Sequence, residues 1–201
     1  RSFKRLFYKA KQKFMKQTSF LLSAALVLLF STVLISCKKD KVKDTSNVNV
    51  VHASPDAPGV DLLVDNLKVN SSPLTFPNNT GYLTVTAGTR NIKVNAAGTS
   101  TTVINADIPF TKDKNYSLFA FNRLASISAI LAEDNLATPA SGKAHIRFFH
   151  LSPGAPAVTV GVLSGETFTP VFENRTFETQ SSATSNQAFA PVDAGTYKFD
   201  V

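Results

Sequence analysis

The chain has no tryptophan, one cysteine and one methionine in 201 residues. With Cys37 alone no disulfide can form within the chain, and the Cys–Trp–Cys pin of a true immunoglobulin domain is excluded. Three histidines and one cysteine offer no Cys/His pairing for structural zinc, and no EF-hand spacing or His-Glu-x-x-His run is present. Neither a metal nor another cofactor is expected. Long apolar runs are missing too, except at residues 20–36. After that run no segment carries a helical apolar stripe between recognisable caps.

The formal charge of +7 is unevenly placed. Residues 1–36 hold seven of the 21 Lys and Arg and no acid, so the chain from Cys37 onward carries 14 of each sign. A nucleic-acid partner therefore cannot be argued from net charge, and none is expected.

The apolar run ends in Leu34-Ile35-Ser36-Cys37, which looks like a lipobox. Two bulky apolar residues and a small Ser36 fit a peptidase pocket at the membrane face, and the Cys37 thiol is the group that takes a lipid. Met15-Lys16 lies just ahead of the run, in the order of a short basic region followed by an apolar one. Residues 1–36 are expected to be a leader, with translation starting at Met15. The alternative is an uncleaved anchor, whose 17 residues lie at the short end of the spanning range. Both readings export everything after Cys37. The expected address is the bacterial envelope, at the outer membrane, with the bilayer itself as a partner through acyl chains on Cys37. Residues 37–47 are polar and lysine-rich and read as a solvated tether.

Beyond the tether the sequence repeats. Val48-Asn49-Val50-Val51-His52-Ala53-Ser54-Pro55-Asp56-Ala57-Pro58 recurs 98 positions later as Ile146-Arg147-Phe148-Phe149-His150-Leu151-Ser152-Pro153-Gly154-Ala155-Pro156. A second block, Val85-Thr86-Ala87-Gly88-Thr89, recurs as Val192-Asp193-Ala194-Gly195-Thr196 at an offset of 107. The nine extra residues are expected in a lengthened loop within 173–187, where Ser, Thr, Asn and Gln cluster. Two blocks in register argue for tandem units: residues 48–136, a linker at 137–143, and residues 144–201. Residues 95–136 have no counterpart in the second unit, which is expected to be incomplete, with the natural protein running roughly 40 residues past Val201 so that two layers can cover one core.

Within the first unit the apolar periodicity predicts seven short strands: 48–52, 59–65, 82–85, 90–94, 103–108, 116–121 and 126–131. That count, in this length, predicts an all-β fold of immunoglobulin-like antiparallel sandwiches. Phe110, Phe119 and Phe121 are the expected heavy core residues of the first unit, and Phe148, Phe149 and Phe199 those of the second. Gly88 and Gly195 are expected to supply positive φ at a tight turn.

The His-x-Ser-Pro-x-Ala-Pro run followed by a strand and Ala-Gly-Thr resembles the bacterial domain of unknown function 4397. The resemblance implies exported, often tandem β-domains and carries no mechanism.

His52, Ser54 and Asp56 place a base, a hydroxyl and a carboxylate within five residues. A nucleophilic triad needs the base held between the other two, which a proline-broken turn does not provide, and Gly154 replaces the carboxylate in the second unit. His52, Asp56, Asp61 and Asp65 offer nitrogen and oxygen ligands for a metal ion, but Asp61 and Asp65 on one strand would lie about 13 Å apart. His52, Ser54, Pro55 and Pro58, with His150, Ser152, Pro153 and Pro156, are therefore read as structural turns, and no catalytic residue is assigned. The expected function is a non-enzymatic envelope lipoprotein whose sandwiches serve as scaffold, spacer or adhesion modules. The alternative is a glycan- or peptide-binding module contacting its ligand through exposed rings such as Phe76 or Tyr82.

Overall fold

A computed structural model describes residues 43–201. The lipobox residues Leu34, Ile35, Ser36 and Cys37, the leader and the start at Met15 lie outside the described residues. Among the described residues no helix is long and apolar enough to cross a membrane.

The protein is an all-β sandwich. Eight strands make the first half: β1 (Thr45–Ala53), β2 (Val60–Val64), β3 (Leu67–Lys68), β4 (Asn79–Thr86), β5 (Gly88–Ala96), β6 (Thr102–Phe110), β7 (Asn115–Phe121) and β8 (Ser128–Asp134). They form two four-stranded sheets, β4-β1-β7-β8 and β3-β2-β5-β6. Alternation along each strand sends Val48 and Val50 of β1, Leu62 of β2, Ile92 and Val94 of β5, and Leu118 and Ala120 of β7 into one shared core. Burying each larger side chain contributes about 1.5–3 kcal/mol. Phe110 and Tyr116 close one end of that core edge to face, with ring centroids 5.4 Å apart.

Pairing is antiparallel except that β1 and β7 run parallel, from Asn47↔Asn115 to Ala53↔Phe121. β3 is an addition to the seven expected strands. The two-residue turn Asp65-Asn66, with both φ positive, folds it back on β2. The boundary of the tether also shifts. Thr45, Ser46 and Asn47 belong to β1, because Ser46 is buried with its hydroxyl donating to the Thr111 carbonyl, and their backbones pair with β4.

The second half contains β9 (Lys143–Ile146), β10 (Val158–Ser164), β11 (Thr167–Arg175), the short helix α1 (Gln180–Asn186), β12 (Ala190–Asp193) and β13 (Lys198–Asp200). β9 pairs with β12, and β10 pairs with both β11 and β13. Each of these pairings has a partner in the first half: β1 with β4, β2 with β3, and β2 with β5.

Several expectations are corrected here. Phe119 and Phe121 do not join the core of the first sandwich, because Leu118 and Ala120 occupy its side of β7 and alternation turns the rings outward. There they meet Phe149, Leu151 and Phe177, so Phe149 packs on the first half and not in its own core. Phe199 is 43% exposed. The serine- and threonine-rich insertion is not only a loop: Thr179 and Ser182 form a capping box that starts α1. Gly88 has φ +99, whereas Gly195 is not at positive φ.

Candidate functional site

The two proline-broken turns are built alike. β1 ends as the chain enters Ser54-Pro55 and β2 begins two residues after Pro58. His52 is 1% exposed, and its Nε2 lies 3.1 Å from the Pro58 carbonyl, closing the six-residue excursion. His150 repeats the contact with the Pro156 carbonyl at 2.9 Å. The Ser152 N–H donates to His150 Nδ1, which assigns the ring proton there to Nε2. In the first half the Nδ1 of His52 is buried with no partner among the described residues.

Ser54 is fully buried, its Oγ 3.5 Å from Asp56 Oδ1, and Asp56 accepts the Leu124 N–H. No hydrogen bond joins Ser54 to His52 among the described residues, so the geometry brings together no nucleophile and base. At the place of Asp56 the second turn has Gly154 with φ +79. Pro55 and Pro153 both border the groove between the turns.

The acids weighed as ligands are engaged separately. Asp61 lies 2.7 Å from the Lys68 ammonium and accepts the Gly98 N–H, and these two contacts hold its carboxyl below the usual range. Asp65 pairs with Arg90 and accepts the Asn91 N–H. No group of three or more His, Cys, Asp or Glu is placed to hold a metal ion among the described residues.

The most elaborate polar cluster, which sequence reasoning missed, joins the two halves. Asp134, the last residue of β8, is 2.7 Å from the Arg147 guanidinium, and both side chains are buried. Its other oxygen accepts from the hydroxyls of Tyr82 and Ser117, each at 2.7 Å. Burial and the adjacent Asp134 carboxylate push the Tyr82 phenol up to about 12. Arg147 donates further to the carbonyls of Glu133 and Gln187, between the rings of Phe149 and Phe189 at 4.8 and 4.6 Å.

Side chains around α1 finish the job along the outer edge of β8. Gln180 accepts the Leu131 N–H and donates to the Leu131 carbonyl, both at 2.7 Å, and Gln187 accepts the Glu133 N–H. An edge strand that would otherwise expose an unpaired ladder is thereby covered. Beneath it Ile130, Ala132 and Ala183 are buried. The signals for this join were faint: an Arg in the second occurrence of the motif, and two glutamines seven residues apart.

A groove of about 380 Å³ lies between the turns, lined by residues of both, with Phe76 on its rim 46% exposed. No Asp, Glu, Lys or Arg lines it. A second, polar groove of about 470 Å³ includes Asn70, Ser71, Asn78 and Asn79.

No curated protein matches the chain. The family model described as domain of unknown function (DUF4397) matches residues 46–161, from the start of β1 through the first sandwich to Gly161 in β10. The match covers more than half of the 201 residues, and the chain belongs to this family.

Proposed function

We propose that the protein is a non-enzymatic lipoprotein of the bacterial envelope, in which tandem sandwich units form a stiff spacer or scaffold. The observation that carries the reading is the join. A buried ion pair, the Arg147 bond to the Glu133 carbonyl and the side chains that hydrogen-bond the β8 edge tie the second half to the outer face of the first. Opening the join would part Asp134 from its cation, unpair the β8 edge and uncover the Phe119 and Phe121 rings. The tandem reading is supported by the matching order of strand pairing and by the His-to-Pro carbonyl contact in both turns.

The address rests on Leu34-Ile35-Ser36-Cys37. Two or more acyl chains on Cys37, at about 0.8 kcal/mol per buried methylene, would anchor the protein stably. Mass spectrometry of the protein from envelope fractions tests this: an acylated N-terminal Cys37 supports it, and an unmodified Cys37 within a longer mature chain refutes it.

Exposed rings favour a second reading, a glycan- or peptide-binding module. Phe76 and Tyr82 are 46% and 45% exposed, and Phe76 borders the groove between the turns. The exported part of the chain, applied to arrays of envelope glycans and proteins, separates the two. Absence of saturable binding fits the spacer; saturable binding lost in Phe76→Ala favours the module.

A further inference from the structure

Three of the four sheet edges in the first half are guarded against pairing. Gln180 and Gln187 bond the backbone of β8. β3 is two residues long and carries Lys68, and β6 carries Asp107 and Pro109. Shortness, charge and proline all discourage the addition of another strand. β4, at the end of the sheet β4-β1-β7-β8, has none of these: its eight residues include no charge and no proline. Its backbone is also set to pair. In β1, Val50 and His52 donate toward β4, to Thr80 Oγ1 and the Asn78 carbonyl, whereas Asn47 donates to the Lys114 carbonyl on the β7 side. With Val48 opposite Leu83 and Ser46 opposite Val85, those two residues of β4 take the bonds with β1. The N–H and C=O groups of Tyr82, Thr84 and Thr86 point the other way, where no strand pairs among the described residues.

Beside this edge lies the polar groove of about 470 Å³, which Val69, Thr80 and Leu83 help to line, with no Asp, Glu, Lys or Arg in its walls. Val69 is 37% exposed, and Leu67 on β3 is 73% exposed. A bare ladder next to exposed aliphatic side chains marks an interaction surface. We infer that β4 pairs antiparallel with β4 of a second copy of this chain, about a two-fold axis through Thr84. A strand pairs with its own reverse only when each residue suits its opposite number. Here Thr84 meets Thr84, Tyr82 meets Thr86 and Leu83 meets Val85, so β-branched, aromatic and aliphatic side chains face one another and no like charges are opposed. Two four-stranded sheets then join into one of eight strands. Every residue involved belongs to the first half, whose own two sheets close one core.

Sedimentation equilibrium reads the association, on the exported part of the chain with Cys37 replaced by Ser so that no lipid or disulfide links two copies. The chain should pass from monomer to dimer as its concentration rises to about 0.1 mM. Thr84→Lys and Thr84→Asp should each weaken the dimer by about fivefold or more, because each sets like charges against one another at the axis. Mixing the two variants should restore a dimer holding one copy of each. Both variants lose the bond from the Thr84 hydroxyl to Asn47, so the mixture separates pairing across the axis from a local loss of folding. A chain that stays monomeric at that concentration, a dimer that neither variant weakens, or a mixture that pairs no better than its components overturns the inference.

Discussion

The guanidinium of Arg147 stands 2.7 Å from the carboxylate of Asp134, with the two side chains 8% and 1% exposed. Asp134 closes the last strand of the first half, and Arg147 directly follows the first strand of the second. The contact therefore bridges the linker without using it. Each charge has further partners, the hydroxyls of Tyr82 and Ser117 on the acid and two carbonyls on the base. Arg147→Met should lower stability by about 3–5 kcal/mol, because Asp134 would stay buried with hydroxyl donors and no cation. Chemical denaturation measures this. A loss below about 1 kcal/mol would show the pair to be dispensable.

The two histidines should differ in cost. His52→Ala removes one bond to a proline carbonyl, whereas His150→Ala removes that bond and the acceptor of the Ser152 N–H. Each of these part-buried hydrogen bonds contributes about 0.5–1.5 kcal/mol. Thermal melts should rank His150→Ala below His52→Ala, and the reverse order would contradict the role given to Nδ1.

The repeated glycines should respond differently as well. Gly88 begins β5 two residues after β4 ends, where the chain passes from one sheet to the other, at φ +99. A Cβ there would also lie 3.2 Å from Arg90 Nη2. Gly88→Val should cost about 1–3 kcal/mol. Gly195 is not at positive φ, and a Cβ would meet only Tyr197 at an ordinary 3.9 Å, so Gly195→Val should change stability by less than about 0.5 kcal/mol. Equal losses at the two sites would contradict the difference in backbone.

Tyr82 should be a late-ionising tyrosine. Its phenol is raised from 10.0 to about 12, so the folded chain holds the proton more tightly than the unfolded one. Its contribution to stability is full below about pH 10 and is lost as pH rises toward about 12. Tyrosinate absorbance should show a component titrating near pH 12 that disappears in Tyr82→Phe. An unchanged titration curve in that variant would refute the assignment.

Strands were legible wherever apolar alternation met proline, glycine or asparagine turns, as at Arg90–Val94 and Tyr116–Phe121. The repeat was legible because two separate blocks kept their register. Alternation alone could not tell which face of β7 was internal, since Tyr116, Leu118 and Ala120 compete with Phe119 and Phe121 for the core. The heavier rings lost because a second apolar surface, Phe149 and Leu151, covers the opposite face. Helix α1 was hidden by composition, being built of Ser, Thr, Gln, Ala and Asn. Its reason to be helical is tertiary: Ala183 fits under it without exposure, and Gln180 and Gln187 reach the backbone of β8.

The central claim is that the two halves form one stiff body. A spin label on Thr102 of β6 and another on Thr169 of β11, both exposed positions, allow the distance between the halves to be measured by pulsed electron resonance, with Cys37 replaced by Ser. The account predicts a single narrow distance distribution that broadens in Arg147→Met. A broad distribution in the otherwise unaltered chain would show that the halves move independently and would contradict the spacer.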